Sequence, residues 1–405
     1  MRPLFDPAAA QEALGPAAVA GEDPDAARER YATIVWSHLV EPGDAVAGRL
    51  VLAHGWSGAL RIATGDHTAA SLTPRELAEG RKRWLPRLDA EAVTQSLRTG
   101  ARAGVTVVTR ADAEWPQHLD DLGPHAPHCL WIRGEAGRLT ALEPAVAIVG
   151  ARAATSYGEH VAVELAADLA GGGVAVVSGG AYGIDGAAHR AALMSGGVTV
   201  ALLAGGVDRA YPAGHAALID RVATHGVVVS EVPCGSAPTK WRFLQRNRLI
   251  AALTQGTVVV EAGWRSGSLN TAGHAAALGR ALGAVPGPIT SAASAGCHRL
   301  LREYGASCIT SADDVRELIG ADALTLARSG PGSGADHHRD GERPATDDTT
   351  RVTDALSTRS PRAVADIARR AGMAADQVEA ILGLLHLEGA AAPTTNGWRL
   401  TRSSG

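Results

Sequence analysis

The chain has 405 residues, 46% hydrophobic and 20% charged, a composition that excludes disorder of the whole and supplies cores for about two or three domains. Its net charge of −4 excludes a global attraction to polyanions, so a nucleic-acid reading must rest on a local cluster of cations. Aromatic residues make up only 4% while glycine numbers 48, which favours aliphatic, closely packed helices on a parallel sheet over a sandwich.

Residues 1–24 are Ala- and Pro-rich and are expected to lack order. Apolar positions at helical spacing in 26–40 and 42–54, a helix start at Thr73-Pro74, and a helical stretch over 89–103 then predict a small helical domain over 25–104. A strand is expected at 105–108. No early apolar run resembles a signal peptide and no segment approaches ~18 uninterrupted apolar residues, so neither export nor a membrane span is expected. Cys129, Cys234, Cys297 and Cys308 form no CxxC pair, which argues against a disulfide framework or zinc ribbon and fits a reducing cytoplasm. His125, His128 and Cys129 lie close together but lack a distant fourth ligand, and no metal or cofactor is expected.

From Ala145 the pattern becomes βαβ arithmetic: apolar runs at 145–149, 174–177, 198–203, 227–229, 257–260 and 282–285, each followed by small or polar residues and an amphipathic helix. Such nearly continuous apolar strands imply a parallel sheet covered on both faces. Ligands in these folds sit beyond the carboxyl ends of the strands. Gly150-Ala151-Arg152, Ser178-Gly179-Gly180, Gly205-Gly206, Ser230-Glu231, Glu261 and Pro286-Gly287 all fall there. The predicted sheet domain spans 105–322. A Gly/Pro/Ser-rich, acidic stretch over 323–350 reads as a flexible linker. Helical periodicity and an Asn396-Gly397 turn give 351–405 a winged helix-turn-helix outline.

Chemistry concentrates in three places. The turns at Gly150–Arg152 and Ser178-Gly179-Gly180-Ala181-Tyr182-Gly183 open helices, where backbone N–H groups suit a phosphate or simply allow close packing; Arg152 adds a phosphate-competent fork. Their spacing is neither G-x-G-x-x-G nor a P-loop. Lys240-Trp241-Arg242-Phe243-Leu244-Gln245-Arg246-Asn247-Arg248 sets four cations around two aromatics, in a chain whose only other lysine is Lys82. Cations with a stacking surface are the recipe for single-stranded nucleic acid. The competing reading has Trp241 and Phe243 anchoring a helix while Arg246 and Arg248 tie down loops, and Asn247 looks structural. Finally, Glu261 and Ser266-Gly267-Ser268 lead into a helix; Glu261 suits acid/base work, a hydroxyl-phosphate site, or a helix cap. Asp185 and His189, one turn apart, read as an acid/base pair or as a buried histidine packed against Asp.

The ordered set resembles the DprA/Smf family. It runs Trp115-Pro116-Gln117-His118-Leu119, Val149-Gly150-Ala151-Arg152 with Ser156-Tyr157-Gly158, and Ser178 to Asp185 with His189. Gly205-Gly206-Val207-Asp208 with Tyr211-Pro212, Ser230-Glu231, Phe243 with Arg246-Asn247-Arg248, Val260-Glu261-Ala262 with Ser266-Gly267-Ser268, and Pro286-Gly287 complete it. The likeness covers about 105–320 and implies an α/β, extended Rossmann-like parallel-sheet domain flanked by an N-terminal small helical, SAM-like domain and a C-terminal winged-helix domain. It also implies a non-catalytic homodimer that binds single-stranded DNA without sequence choice, protects it, and helps load RecA during natural transformation. DNA contacts are carried over to Arg152, Lys240 and Phe243, with Gly150, Ser178, Gly179, Tyr182, Arg242, Arg246, Ser266, Gly267 and Ser268 around them. Tyr182 stands where many members have a cation, and Leu244-Gln245 replaces a frequent Pro. The alternative is a nucleotide hydrolase like the lysine-decarboxylase-like phosphoribohydrolases, against which stands the absence of their Pro-Gly-Gly-x-Gly-Thr run. A third reading makes the winged helix a double-stranded-DNA reader and the whole a regulator, but its recognition helix over 376–387 is acidic and apolar, which fits protein contact better than a phosphate surface.

Overall fold

A computed structural model describes residues 6–65, 68–140 and 142–321, then 352–353, 355–358, 360–371, 373, 375–387 and 390–401. The chain divides into two compact units, residues 1–330 and 331–405. The expected linker at 323–350 lies outside the described residues.

The beginning of the chain corrects one expectation. Residues 6–17 are ordered, because Asp6 caps a helix, α1 (Pro7–Leu14), by accepting from the N–H groups of Ala8 and Ala9. Ala10 and Leu14, one turn apart, bury their side chains in the core. Then follow α2 (Pro24–Leu39), α3 (Ala45–Thr64), α4 (Pro74–Trp84) and α5 (Ala90–Arg102). Asp23, Asp44 and Asp89 cap three of them, and Thr73 with Glu76 forms a capping box on α4.

The sheet has nine strands in the order β1-β2-β6-β5-β4-β3-β7-β8-β9. They are β1 (Val105–Val108), β2 (Leu130–Gly134), β3 (Ala145–Val149), β4 (Ala175–Ser178), β5 (Thr199–Leu202), β6 (Val227–Ser230), β7 (Gly256–Val259), β8 (Ala281–Ala284) and β9 (Ser307–Cys308). β3 to β9 are parallel; β1 and β2 add an antiparallel edge through β6. Both faces are covered, as the apolar runs require. Ala145, Ala147 and Val149 face a core shared with α9 (Lys240–Ala252), α10 (Ser268–Ala277) and α11 (Ala295–Glu303). Val146 and Ile148 face the opposite core with α6 (Ser156–Gly171), α7 (Ile184–Met194) and α12 (Ala312–Ile319).

The N-terminal helices share a core with the sheet. Trp36 and Trp84 pack edge to face at 5.3 Å, in one buried cluster with Trp131 of β2, Ala201 of β5 and Val228 of β6. The same cluster takes in Leu218, Ile219 and Val222 of α8 (Ala216–His225).

In the second unit, α13 (Val364–Ala371) and α14 (Ala375–Leu387) precede a hairpin of β10 (Ala391–Thr394) and β11 (Gly397–Leu400). Val352, Leu356, Ile367, Val378, Leu382 and Ala391 form its core. Gly397 turns the hairpin at φ 126°, and a Cβ there would strike the Arg362 carbonyl.

Candidate nucleic-acid interface

Because β3 to β8 run parallel, their carboxyl ends and the starts of α6, α7, α9 and α10 lie along one rim. A cleft of about 360 Å³ opens there, lined among others by Gly150, Arg152, Phe243, Arg246, Ser266, Gly267 and Ser268. Seven of the sequence-predicted residues therefore meet in one place. The other five stand elsewhere.

Gly150 can sit on the floor only as glycine, since a Cβ would fall 2.5 Å from the Ile184 side chain and 2.9 Å from the Glu261 carbonyl. This brings the backbone of Ala151 close enough to donate to the Glu261 carbonyl at 2.7 Å. Arg152 follows directly and is exposed. Its guanidinium carbon lies 4.6 Å from the centroid of the Phe243 ring, a cation–π contact that orients the fork without using its donors. Tyr211 packs against the same ring at 5.6 Å between centroids and is 48% exposed. Tyr211 was missed as a site residue by sequence reasoning; its signal was an aromatic on a strand-end loop, in a chain with only five tyrosines.

The basic run splits because it is helical. Thr239 caps α9 by accepting from the Arg242 N–H, and about 100° per residue then turns successive side chains to different sides. Lys240 and Trp241, in the first turn, are exposed. Lys240 is in no ion pair among the described residues. Arg242 donates to both oxygens of Glu41 at 3.0 and 2.9 Å and to the Ala237 carbonyl, so its charge joins the helical segment to α9.

Arg246 is buried, and its guanidinium donates to the carbonyls of Gly179 and Leu202. Burial pushes it down to about 10, opposed by the nearby Asp185 carboxylate, which leaves it charged at neutral pH. It supplies positive potential to the cleft from beneath. Arg248 is deeper still and makes a bidentate pair with Glu231 at 2.7 and 2.6 Å. Asn247 donates to Asn270 Oδ1 at 3.1 Å and accepts from Arg246 Nε, tying α9 to α10.

Gly179 and Ser178 serve the scaffold. A Cβ on Gly179 would meet the Arg246 guanidinium at 2.5 Å, and the buried Ser178 hydroxyl donates to the Ile148 carbonyl at 2.6 Å. Tyr182 is exposed but leans edge-on against His215 at 4.7 Å between centroids and does not line the cleft. On the facing wall, the Ser266 and Ser268 hydroxyls bond each other at 2.7 Å. Ser268 opens α10, and its N–H donates to the Ser266 hydroxyl at 3.4 Å, while those of Leu269 and Asn270 donate to the carbonyls of Ser266 and Gly267.

The candidate acids and bases are committed to structure. Glu261 accepts from the backbone N–H and hydroxyl of Thr155, both at 2.8 Å, so it fastens the start of α6. Asp185 accepts from the N–H groups of Gly179 and Ala181, while burial raises its pKa. His189 bonds Thr199 at 2.7 Å through Nδ1; its ring is fixed by β5 and not by Asp185.

These features define a doubly wound α/β protein with a cationic, aromatic-edged cleft at its strand ends. The family model for DNA recombination-mediator protein A matches residues 106–320, and that for the DprA winged helix domain matches 337–397. The chain belongs to the DprA family of DNA-processing proteins. It is 45% identical over 381 residues to a Mycobacterium tuberculosis protein provisionally named DNA processing protein DprA, covering 91% of this chain and 93% of that one. It is 33% identical to the DNA processing protein DprA of Bacillus subtilis over 65% of this chain and 84% of the relative. The crystal structure of DNA processing protein A from Streptococcus pneumoniae superposes with a TM-score of 0.58 at 30% identity, covering 71% of this chain and 96% of that one.

Proposed function

We propose that the chain binds single-stranded DNA in the strand-end cleft, without sequence choice and without catalysing a reaction on it. The supporting observation is the exposed Arg152 guanidinium stacked at 4.6 Å on Phe243, at the mouth of a cleft with Lys240 nearby in the sequence of α9. Arg152 and Lys240 neutralise phosphates, and the Phe243 and Tyr211 rings receive bases. In this reading the chain is a cytoplasmic homodimer that protects incoming DNA during transformation and hands it to the RecA recombinase. Among the described residues no helix is long and apolar enough to cross a membrane. The hydrolase reading loses its base, because Glu261 is buried and already accepts twice from Thr155.

The test is fluorescence anisotropy of labelled single- and double-stranded oligonucleotides across a salt series, with the wild type and the Arg152→Ala/Lys240→Ala double variant. Salt-sensitive preference for single strands, lost in the folded variant, is expected; no binding by folded wild type overturns the proposal.

A further inference from the structure

The loop after β7 carries a feature that the cleft does not use. Trp264 is 59% exposed, a costly placement for a large ring in a chain with 4% aromatics. It does not hang loose: the Arg299 guanidinium carbon lies 5.2 Å from its centroid and 5.4 Å from that of Tyr304. Glu303 holds Arg299 in turn, at 2.9 Å. The neighbouring Arg265 is exposed and in no ion pair among the described residues. The same loop continues into Ser266, Gly267 and Ser268 of the cleft wall.

We propose that Trp264, steadied by Arg299, is a second base-stacking platform that carries a single DNA strand beyond the cleft, with Arg265 neutralising a phosphate between the two. The proposal rests on the single-strand reading above and extends it. Sheet order supplies the path: the strand ends run β5, β4, β3, β7, and the loops after β5, β3 and β7 carry Tyr211, Arg152 and Trp264. Adjacent strands lie about 4.8 Å apart, so β5 and β7 end roughly 14 Å from one another. A strand lying across these ends meets Tyr211 and Phe243, then the cleft, then Trp264. An exposed ring held by a guanidinium accepts any base, which suits binding without sequence choice. A protein surface would also use an exposed tryptophan, but the unpaired Arg265 and the continuity with the cleft favour a polyanion.

The experiment compares the wild type, Trp264→Ala, Trp264→Phe and Arg152→Ala on labelled oligothymidylates of about 5 and about 16 nucleotides. Trp264→Ala is expected to weaken the long strand by roughly 5- to 150-fold, the equivalent of one lost base stack, and to leave the short one within about twofold. Trp264→Phe should restore most of the loss, and Arg152→Ala should weaken both lengths. Equal binding of both lengths by Trp264→Ala and wild type overturns the platform while leaving the cleft intact. A loss that follows a changed sedimentation coefficient also overturns it, since Trp264 would then act in assembly. Failure of wild type to bind either length overturns the single-strand reading itself.

Discussion

The Arg152 guanidinium lies 4.6 Å over the Phe243 ring while the Tyr211 ring stands 5.6 Å to its side, so one aromatic side chain orients both a cation and a second ring. Removing Phe243 should therefore cost at least one stack. Phe243→Ala is expected to weaken single-strand affinity by about 1–3 kcal/mol, with Phe243→Trp retaining most of it. Arg152→Ala should flatten the dependence of log K on log salt by about 0.7. Anisotropy across a salt series reads both, and an unchanged slope would place Arg152 off the phosphate path.

Arg242 and Lys240 are neighbours in sequence with opposite expectations. Arg242 spends its charge on Glu41, whereas Lys240 projects unpaired from the first helical turn of α9. Lys240→Ala should lower affinity with a reduced salt slope; Arg242→Ala should change affinity by less than about 1 kcal/mol. An equal loss in both would mean that the Glu41 pair opens when DNA binds.

The buried Arg248–Glu231 pair is a matter of stability. Glu231→Ala leaves a guanidinium 2% exposed with only the carbonyls of His125 and Gln245 as acceptors, and should destabilise the fold by about 3–5 kcal/mol. Replacing both partners, as Glu231→Leu/Arg248→Met, should recover part of the loss because no buried charge then remains unpaired. Urea unfolding checks both variants, and a double variant weaker than the single would contradict this account.

The sheet was legible because buried parallel strands leave near-continuous apolar runs, and each of the six runs from 145 to 285 became a strand within a residue or two. The cleft was legible in outline, from glycines after strands and from a run of four cations around two aromatics in 240–248. What the sequence did not resolve was which cations are free. Arg242, Arg246 and Arg248 look alike as letters, but the helical turn sends Arg246 and Arg248 inward to Leu202 and Glu231, partners 44 and 17 positions away. No local pattern encodes those distances. The order at α1 was hidden for a similar reason: Ala10 and Leu14 gain their burial from other helices, and an Ala-rich segment of eight residues has little helical stability of its own.

Two buried histidines, His128 and His189, and the partly buried His38 make stability depend on pH. Burial holds His38 at about 4 and His128 and His189 at about 3, while an unfolded histidine titrates near 6.5. Between about pH 6.5 and 4 the folded rings stay neutral and the unfolded chain takes up protons, so stability falls as pH is lowered through that window. Each ring contributes up to about 1.4 kcal/mol per pH unit. Carboxylates such as Asp112, where burial is outweighed only by the hydrogen bonds from Arg30 and Thr109 and the Arg30 charge acting together, add a loss of the same sign only below about pH 4. Urea unfolding at about pH 7 and pH 5, followed through the buried Trp36, Trp84 and Trp131, should show the slope. His189→Asn can keep a bond to Thr199 without taking a proton, and its stability should vary less steeply with pH than that of the wild type. An identical slope would mean that His189 is protonated inside the fold, with its Nε2 donating to an acceptor beyond the described contacts.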